Sequence, residues 1–393
     1  MFLRLATILI LCLPLTAEIP PLSEGLEDFY NLEYDQAIAE FKQEIAAHPD
    51  AAAGYNHLAM AILYREMLRF GALESELVTG TNPFLRRPKM HPSREDQQEF
   101  DAAIEKSMAL SQARLSSNHK DARAAYTLGV AYGFRANYNF LVRKAWMDAL
   151  RDATTARRLH NQAAAWDPSM VDARLVEGAH DYVIGNLPWH IRVLGFLAGF
   201  RGDKDEGVRT LEYVAAHGDQ NRVDAEVLLC AIYRREREAK KAAPMLEGLI
   251  ARFPRNYLFR FESAQMYADL GDGGRALAEV QQIEDLKKSD YPGYSRLPSE
   301  KIYYARGTIQ FWYRDLDHAL SNLQRVAARA QELDLNTGTF AWLRVGQIYD
   351  LKGQRPQAVE AYQRSLRLAP ESDAAKLCRQ YLASPYRRPK ATG

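Results

Sequence analysis

The 393 residues of this chain are too many for one compact core, and they are enough for several domains or one extended repeat array. A composition of 47% hydrophobic and 26% charged residues excludes a disordered chain and a membrane bundle. The 51 basic and 50 acidic side chains leave a net charge of +1, which gives no electrostatic basis for binding nucleic acid.

Residues 1–17 have the features of a secretory signal peptide. An apolar run at 5–13 follows one positive charge, and Thr16-Ala17 offers small residues for cleavage. This run is too short to span a bilayer. The residue before Cys12 is leucine, whereas a lipidated cysteine requires a small residue there. We therefore expect export to the periplasm or the cell exterior, without a lipid anchor.

The rest of the chain carries an internal repeat, and one unit near the C-terminus is especially clear. Its residues are Trp342, Val345, Gly346, Tyr349, Gly353, Ala358, Tyr362 and Pro370. The small residues Gly346 and Ala358 allow two helix backbones to approach closely, while the aromatic residues fill the space beside them. Pro370 ends the second helix because proline cannot continue one.

The same offsets recur from Val223 and from Tyr257, which are 34 residues apart, and more weakly along the remaining sequence. They add up to about eight units. These residues and spacings resemble the tetratricopeptide-repeat family. The resemblance implies an all-α, right-handed solenoid over residues 18–370 that binds a partner. A capping helix at 371–384 and a basic, flexible tail at 385–393 are expected to follow.

Four insertions interrupt the period. The first is predicted to lengthen one hairpin and lead into a new helix, the second to extend the second helix of its unit, and the fourth to form a loop rich in tyrosine and proline. Insertions in solenoids map to loops on one face, which is often the binding face. Their ranges are 65–100, 136–151, 186–202 and 285–299.

The third insertion contains a strongly apolar stretch at 187–200. Trp189, Val193, Phe196 and Phe200 recur at helical spacing. The stretch is too short to cross a bilayer. Two interpretations remain, because it either packs across neighbouring hairpins as a plug or stays partly exposed and contacts a lipid or a partner.

A narrower resemblance overlaps this stretch. Leu187-Pro188, the run 199–203, Gly207 and Leu211 are similar to a signature of the outer-membrane inclusion-clearance proteins and tetratricopeptide protein 39. That eukaryotic family is also built from helical repeats and has links to lipid handling. The resemblance therefore implies a connection with lipid around 187–211.

Catalytic and metal-binding motifs are missing from the sequence. It contains no Gly-rich phosphate loop, no His-Glu-x-x-His zinc helix and no Gly-x-Ser-x-Gly elbow. His160 falls at a packing offset, so we expect it to fill the core. Asp203 and Asp205 start a helix after Gly202, where they stabilise its dipole without a metal. We therefore expect neither enzyme activity nor a cofactor.

Family resemblance also suggests which side chains face a partner. In tetratricopeptide repeats the first helix of each hairpin lines the concave face, and three offsets within the repeat point inward. These offsets contain no Lys or Arg in this chain, so an aromatic, sparsely charged face is expected. The residues are Asn56, Met60, Tyr126, Val130, Phe261, Gln265, Tyr304, Thr308, Phe311 and Gln347.

Such a face suits an extended peptide or an apolar ligand, because aromatic rings bind with little loss of conformational entropy. The leading hypothesis is a scaffold that binds a protein or peptide partner. The alternative is a carrier or sensor of an apolar small molecule or lipid. A further interpretation stays open, in which several of these aromatic residues are packed beneath the insertions at 65–100 or 285–299.

Overall fold

The computed structural model describes residues 22–73, 89–186 and 202–388, and all regular elements in these ranges are helical. The first eight α-helices are α1 (Glu24–Tyr30), α2 (Tyr34–Ala47), α3 (Ala52–Arg69), α4 (Arg94–Ser117), α5 (Ala122–Tyr138), α6 (Trp146–Trp166), α7 (Leu175–Gly185) and α8 (Lys204–His217). They are followed by α9 (Arg222–Arg235), α10 (Ala239–Arg252), α11 (Tyr257–Asp269), α12 (Gly273–Lys288), α13 (Ser299–Trp312), α14 (Leu316–Ala328), α15 (Leu335–Leu351), α16 (Arg355–Leu368) and α17 (Asp373–Ala383).

Consecutive helices pack in pairs from α1/α2 to α15/α16, and each pair also packs against the next. The described residues therefore form eight helical hairpins, with α17 packed on α16. This arrangement confirms the predicted all-α solenoid. The thiols of Cys230 and Cys378 are buried and unbonded, so disulfides between described residues do not contribute to its stability.

Small residues allow the close approach between paired helices that the repeat pattern predicts. A Cβ atom added to Gly207 of α8 would lie 2.4 Å from the backbone nitrogen of Tyr182 in α7. A Cβ atom added to Gly346 of α15 would lie 2.4 Å from the Tyr362 ring in α16. Both distances are far shorter than a non-bonded carbon contact, so these hairpins pack at the limit that glycine permits.

His160 fills the corresponding position in the α5/α6 hairpin. Its ring is 3% exposed, and it lies 3.2 Å from the position that a Cβ atom on Gly129 would take. The Tyr126 ring meets it edge-on at 5.3 Å between centroids. Neither ring nitrogen has a hydrogen-bond partner. This histidine is a core residue, as the sequence predicted.

Burial lowers the pKa of His160 to about 4, from an ordinary value of about 6.5. The unfolded chain therefore binds this proton more tightly than the folded one between these two pH values. We expect the stability that His160 contributes to be intact above pH 6.5 and to fall by up to about 3 kcal/mol as the pH drops to 4. Denaturant unfolding at several pH values, compared with His160→Phe, measures this difference. An identical pH dependence in both proteins would contradict the prediction.

The array curls so far that its first helix reaches the middle of the chain. The Tyr30 hydroxyl donates to Asp224 at 3.1 Å, although the two residues are 194 positions apart. The Tyr30 ring also lies 5.2 Å from that of Phe253. One hydrophobic core accordingly runs from Leu26 to Ile309, and the smaller clusters after it hold the last two hairpins. In an open solenoid each repeat would touch only its neighbours.

The structure places two of the insertions differently from the prediction. The segment 136–151 does not extend one helix alone, because α5 runs to Tyr138, a π-helical turn follows, and α6 starts at Trp146. Arg135 and Asn139 hold this junction by donating to Asp152 at 2.7–2.9 Å. The segment 285–299 is helical up to Lys288, and Tyr294 in the following loop is fully buried.

Residues 74–88 of the first insertion lie outside the described residues, and so does the apolar stretch at 187–200, with Trp189, Val193, Phe196 and Phe200.

Part of the predicted flexible tail is packed. Tyr386 is 7% exposed, and its backbone N–H donates to Asp350 at 2.8 Å. Arg388 donates to the carbonyl of Phe311, and its guanidinium lies 5.0 Å from the centre of that ring. Residues 384–388 therefore cover the end of α13 and hold it against the last hairpin. Residues 389–393 lie outside the described part of the chain.

Candidate partner-binding groove

A cavity of about 290 Å³ lies where the beginning and the middle of the chain meet, and we call it the central groove. One wall comes from the end of α3, with Leu68, Arg69 and Gly71. The opposite walls come from α11 and α13, and the loops before α13 and α15 close the ends. The α11 and α13 residues are Tyr257, Leu258, Phe261, Glu262, Ala264, Gln265, Lys301, Tyr304, Ala305, Thr308 and Ile309.

The walls of the central groove are largely aromatic and aliphatic. Tyr257 and Phe261 lie edge-to-face at 6.2 Å between ring centroids, and Tyr304 faces the same cavity from α13. All three rings are only partly buried, so part of each remains accessible. Leu68, Leu258, Leu297 and Leu333 add aliphatic surface. Such a lining favours an apolar group, with aromatic surface giving the largest gain on contact.

Charged residues also reach the groove, which corrects the expectation of a sparsely charged face. Three basic side chains and three acidic ones line it, so their formal charges cancel. The basic residues are Arg69, Arg234 and Lys301, and the acidic residues are Glu262, Glu332 and Asp334. Neutral peptides and apolar groups are therefore not disfavoured by a net charge at this site.

The basic groups are already paired within the protein. Lys301 lies 2.5 Å from Asp334 and donates to Thr337 at 3.0 Å. Arg234 pairs with Glu262 at 3.2 Å, and Arg69 pairs with Glu66 at 2.5 Å. Because these cations have internal partners, they are poorly suited to clamp the terminal carboxylate of a partner.

Asp334 remains ionised at neutral pH. Burial alone would raise the pKa of Asp334, but the Lys301 ammonium and the hydrogen bonds from Thr337 outweigh it and leave that pKa below its usual value. Asp334 also accepts the backbone N–H of Thr337 at 3.0 Å and so caps α15. The pair thus joins α13 to the start of the last hairpin and fixes one end of the groove.

Four of the ten residues predicted to face a partner meet in the central groove. Phe261 and Gln265 line it from α11, and Tyr304 and Thr308 line it from α13. Each pair is four residues apart, so both members lie on one helix face. Thr308 is 5% exposed and forms part of the floor.

The other six predicted residues lie elsewhere. Asn56 and Met60 are buried, and Asn56 donates to the carbonyl of Thr127 at 2.9 Å. Tyr126 accepts from Asn221 at 3.0 Å, and its neighbour Val130 is partly buried. The curl of the array encloses this region, since α1 lies against α9 and α10.

Phe311 and Gln347 are core residues. Phe311 is fully buried and packs against Tyr386 and Arg388 of the C-terminal tail. Gln347 is 2% exposed and accepts from Arg344 at 2.8 Å. Phe311 is therefore a packed aromatic residue, as the alternative interpretation expected. It is the C-terminal tail that covers this ring, however, whereas the interpretation named the insertions at 65–100 and 285–299.

Sequence reasoning missed Tyr257, Lys301 and the α3 wall. Tyr257 precedes Phe261 by four residues and Lys301 precedes Tyr304 by three, so helical spacing could have assigned both to the groove face. No such spacing could assign the α3 wall to the groove, because Leu68, Arg69 and Gly71 come next to α11 and α13 only through the curl of the array. Among residues 22–73, 89–186 and 202–388, no three His, Cys, Asp or Glu side chains are placed to hold a metal ion.

No family model matches this chain, and no curated protein matches it either. Among solved structures, the yeast Tom70 crystal structure is similar over 91% of this chain and 86% of its own, with a TM-score of 0.42 and 10% identity. The Cut9-Hcn1 hetero-tetramer of APC/C is similar over 89% of this chain and 58% of its own, with a TM-score of 0.43 and 12% identity. Human IFIT1, as a dimer with PPP-AAAA, is similar over 90% of this chain and 92% of its own, with a TM-score of 0.31 and 14% identity.

These TM-scores are low, so the similarities identify neither a partner nor a site. In the described ranges no helix is both long and apolar enough to cross a membrane. Repeat offsets, paired helices and close glycine contacts together make this chain an all-α solenoid of tetratricopeptide-like helical hairpins.

Proposed function

We propose that this protein is a binding scaffold that holds a peptide segment of a partner protein in the central groove. The observation that supports this most is the cluster of partly accessible aromatic rings, Tyr257, Phe261 and Tyr304, around a cavity of about 290 Å³. A cavity of this size takes one or two apolar side chains, and the paired charges at its rim leave room for a neutral backbone. We include export in the proposal, on the basis of the signal-peptide features at residues 1–17.

The second candidate is a carrier or sensor of an apolar small molecule. It is favoured by the same cavity, whose volume is close to the lower end of the roughly 300–1,000 Å³ typical of small-molecule sites. A native mass spectrum of the protein purified from its own host separates the two candidates. A bound polypeptide supports the scaffold, and a bound lipid or metabolite supports the carrier.

Tyr304→Ala is expected to weaken binding of a groove peptide by more than about 1 kcal/mol while the fold is retained, as for an aromatic interface residue. The probe is a fluorescent peptide selected from a random library for binding to the wild-type protein, and its dissociation constant is measured by fluorescence anisotropy. Phe261→Ala, on the neighbouring helix α11, should have a similar effect.

Tyr303→Ala is the matched control, because Tyr303 neighbours Tyr304 but lies over the guanidinium of Arg325, away from the groove. It should leave the affinity unchanged. If Tyr304→Ala and Phe261→Ala both bind the peptide as the wild type does, the central groove is not the binding site. Phe311→Ala, in contrast, is expected to act on stability, because this ring is fully buried.

A further inference from the structure

The helix α11, which supplies two of the three aromatic groove residues, is tied at its first turn to the beginning of the chain. Asn256 caps α11, since its Oδ1 accepts the backbone N–H of Leu258 at 3.0 Å. Its Nδ2 donates to the carbonyl of Tyr30, the last residue of α1, at 2.7 Å. The side chain is 4% exposed, so both hydrogen bonds are shielded from water. Asn256 thus joins α11 to α1.

The neighbouring Arg255 binds the end of α1 and the turn that follows it. Its guanidinium lies 3.2 Å from Asp28 and 3.0 Å from Glu33, and its backbone N–H donates to Asn31 at 3.0 Å. Asn31 is only 1% exposed. We call these contacts of residues 28–33 with Arg255 and Asn256 the latch. Charged groups that are partly shielded from solvent make it stronger than an exposed ion pair.

The wall of the groove formed by α3 belongs to the same N-terminal body as α1. The Phe29 ring of α1 lies 5.1 Å from the Tyr64 ring of α3. Arg65 of α3 pairs with Asp35 of α2 at 2.8 Å. A displacement of α1 from the latch would therefore carry α3 with it.

At the end of α3, the N-terminal body is in close contact with the far side of the groove. A Cβ atom on Gly71 would lie 3.2 Å from the Cβ of Asp334, the residue that caps α15. The groove exists in its present form only while this contact is kept. Its two sides come from parts of the chain that are not adjacent repeats. They are held together by the latch, by the contacts of Tyr30 with Asp224 and Phe253, and by this contact.

From this geometry we propose that the latch governs the central groove, so that closure of the array and binding in the groove are thermodynamically linked. A peptide in the groove touches the α3 wall as well as α11 and α13, so it binds the closed form more tightly than an opened one and stabilises it. Weakening the latch must then weaken binding, although no latch residue lines the groove. This inference rests on the proposed function, because it concerns occupancy of the same site.

Arg255→Gln tests the linkage, with the library-selected peptide described above as the probe. Arg252→Gln is the matched control, since Arg252 ends the preceding helix and pairs with Glu226, without contact to residues 28–33. Tyr30→Phe is a second, milder variant that removes only the hydroxyl that donates to Asp224. Peptide affinity and amide hydrogen exchange of residues 28–33 are measured for each protein.

We expect Arg255→Gln to weaken peptide binding roughly fivefold or more, and to speed exchange at residues 28–33. Tyr30→Phe should shift both quantities in the same direction by less, and Arg252→Gln should shift neither. Adding peptide to the wild-type protein should slow exchange at residues 28–33. Faster exchange in Arg255→Gln with unchanged affinity would overturn the linkage and leave the groove proposal intact. The proposed function, and the linkage with it, would be overturned if the wild-type protein binds no library peptide. The same holds if Tyr304→Ala leaves the affinity for the selected peptide unchanged.

Discussion

Asp350→Ala is expected to lower the free energy of unfolding of the last two hairpins by about 3–5 kcal/mol, the range for breaking a buried charge pair. The Asp350 side chain is 1% exposed and receives Arg355 at 3.0 Å, the Tyr362 hydroxyl at 2.8 Å and the backbone N–H of Tyr386 at 2.8 Å. Alanine would leave the Tyr362 hydroxyl and the Tyr386 N–H without their acceptor. It would also remove the counter-charge of Arg355, which keeps its hydrogen bonds to the carbonyls of Tyr381 and Leu382.

Hydrogen exchange along the chain measures where this stability is lost. Exchange should rise across residues 299–388, because separate hydrophobic clusters hold this end, and it should change little in α1 to α3. Asp317→Ala is the control, since Asp317 forms a solvent-exposed ion pair with Lys352. This substitution should change the free energy of unfolding and the exchange rates very little. A loss of protection spread evenly over the whole chain would show that the two ends do not unfold separately.

Gly346→Leu is expected to destabilise the same region by roughly 1–3 kcal/mol or more through overpacking. Even the first added carbon would lie 2.4 Å from the Tyr362 ring. That ring cannot move aside easily, because it is fully buried and its hydroxyl is bound to Asp350. Thermal denaturation followed by circular dichroism gives the change in stability.

Gly248→Ala is the control for the glycine substitution, because a Cβ atom there would meet nothing within 4 Å. Alanine should stabilise α10 slightly at this exposed position, by about 0.5–1 kcal/mol. If Gly346→Leu melts at the wild-type temperature, the helices of the last hairpin are packed less closely than the structure indicates.

Asp350→Ala and Gly346→Leu also show how far the fold could be predicted from the sequence. Gly346 and Tyr362 stand at fixed offsets of a repeat, so their contact follows from the pattern alone. Asp350 belongs to no offset. Arg355 lies across the turn of the same hairpin, but Tyr386 reaches Asp350 only when the tail returns to the last hairpin. Repetition predicts contacts within and between successive units, whereas contacts made once in the chain leave no periodic signal.

The same distinction explains the groove prediction. The repeat offsets that the family resemblance implies selected one face of α11 and one of α13, and the structure brings Phe261, Gln265, Tyr304 and Thr308 together there. These offsets could not reveal that the curl of the array buries Asn56, or that the tail covers Phe311. The amount of curl depends on small rotations between successive hairpins, and these accumulate over several repeats before Tyr30 meets Asn256.

This meeting has a consequence for how the array can change in evolution. Repeat proteins gain and lose units by duplication and deletion, and an open array tolerates such changes because each unit needs only its neighbours. Here the units between α3 and α9 have to turn the chain by the amount that returns Tyr30 to Asp224 and Asn256. One unit more or fewer would separate these partners, so the number of repeats in this stretch is fixed. The closing contacts extend to Asp334, which lies against Gly71 and caps α15, so a change in length beyond the start of α15 would leave them undisturbed.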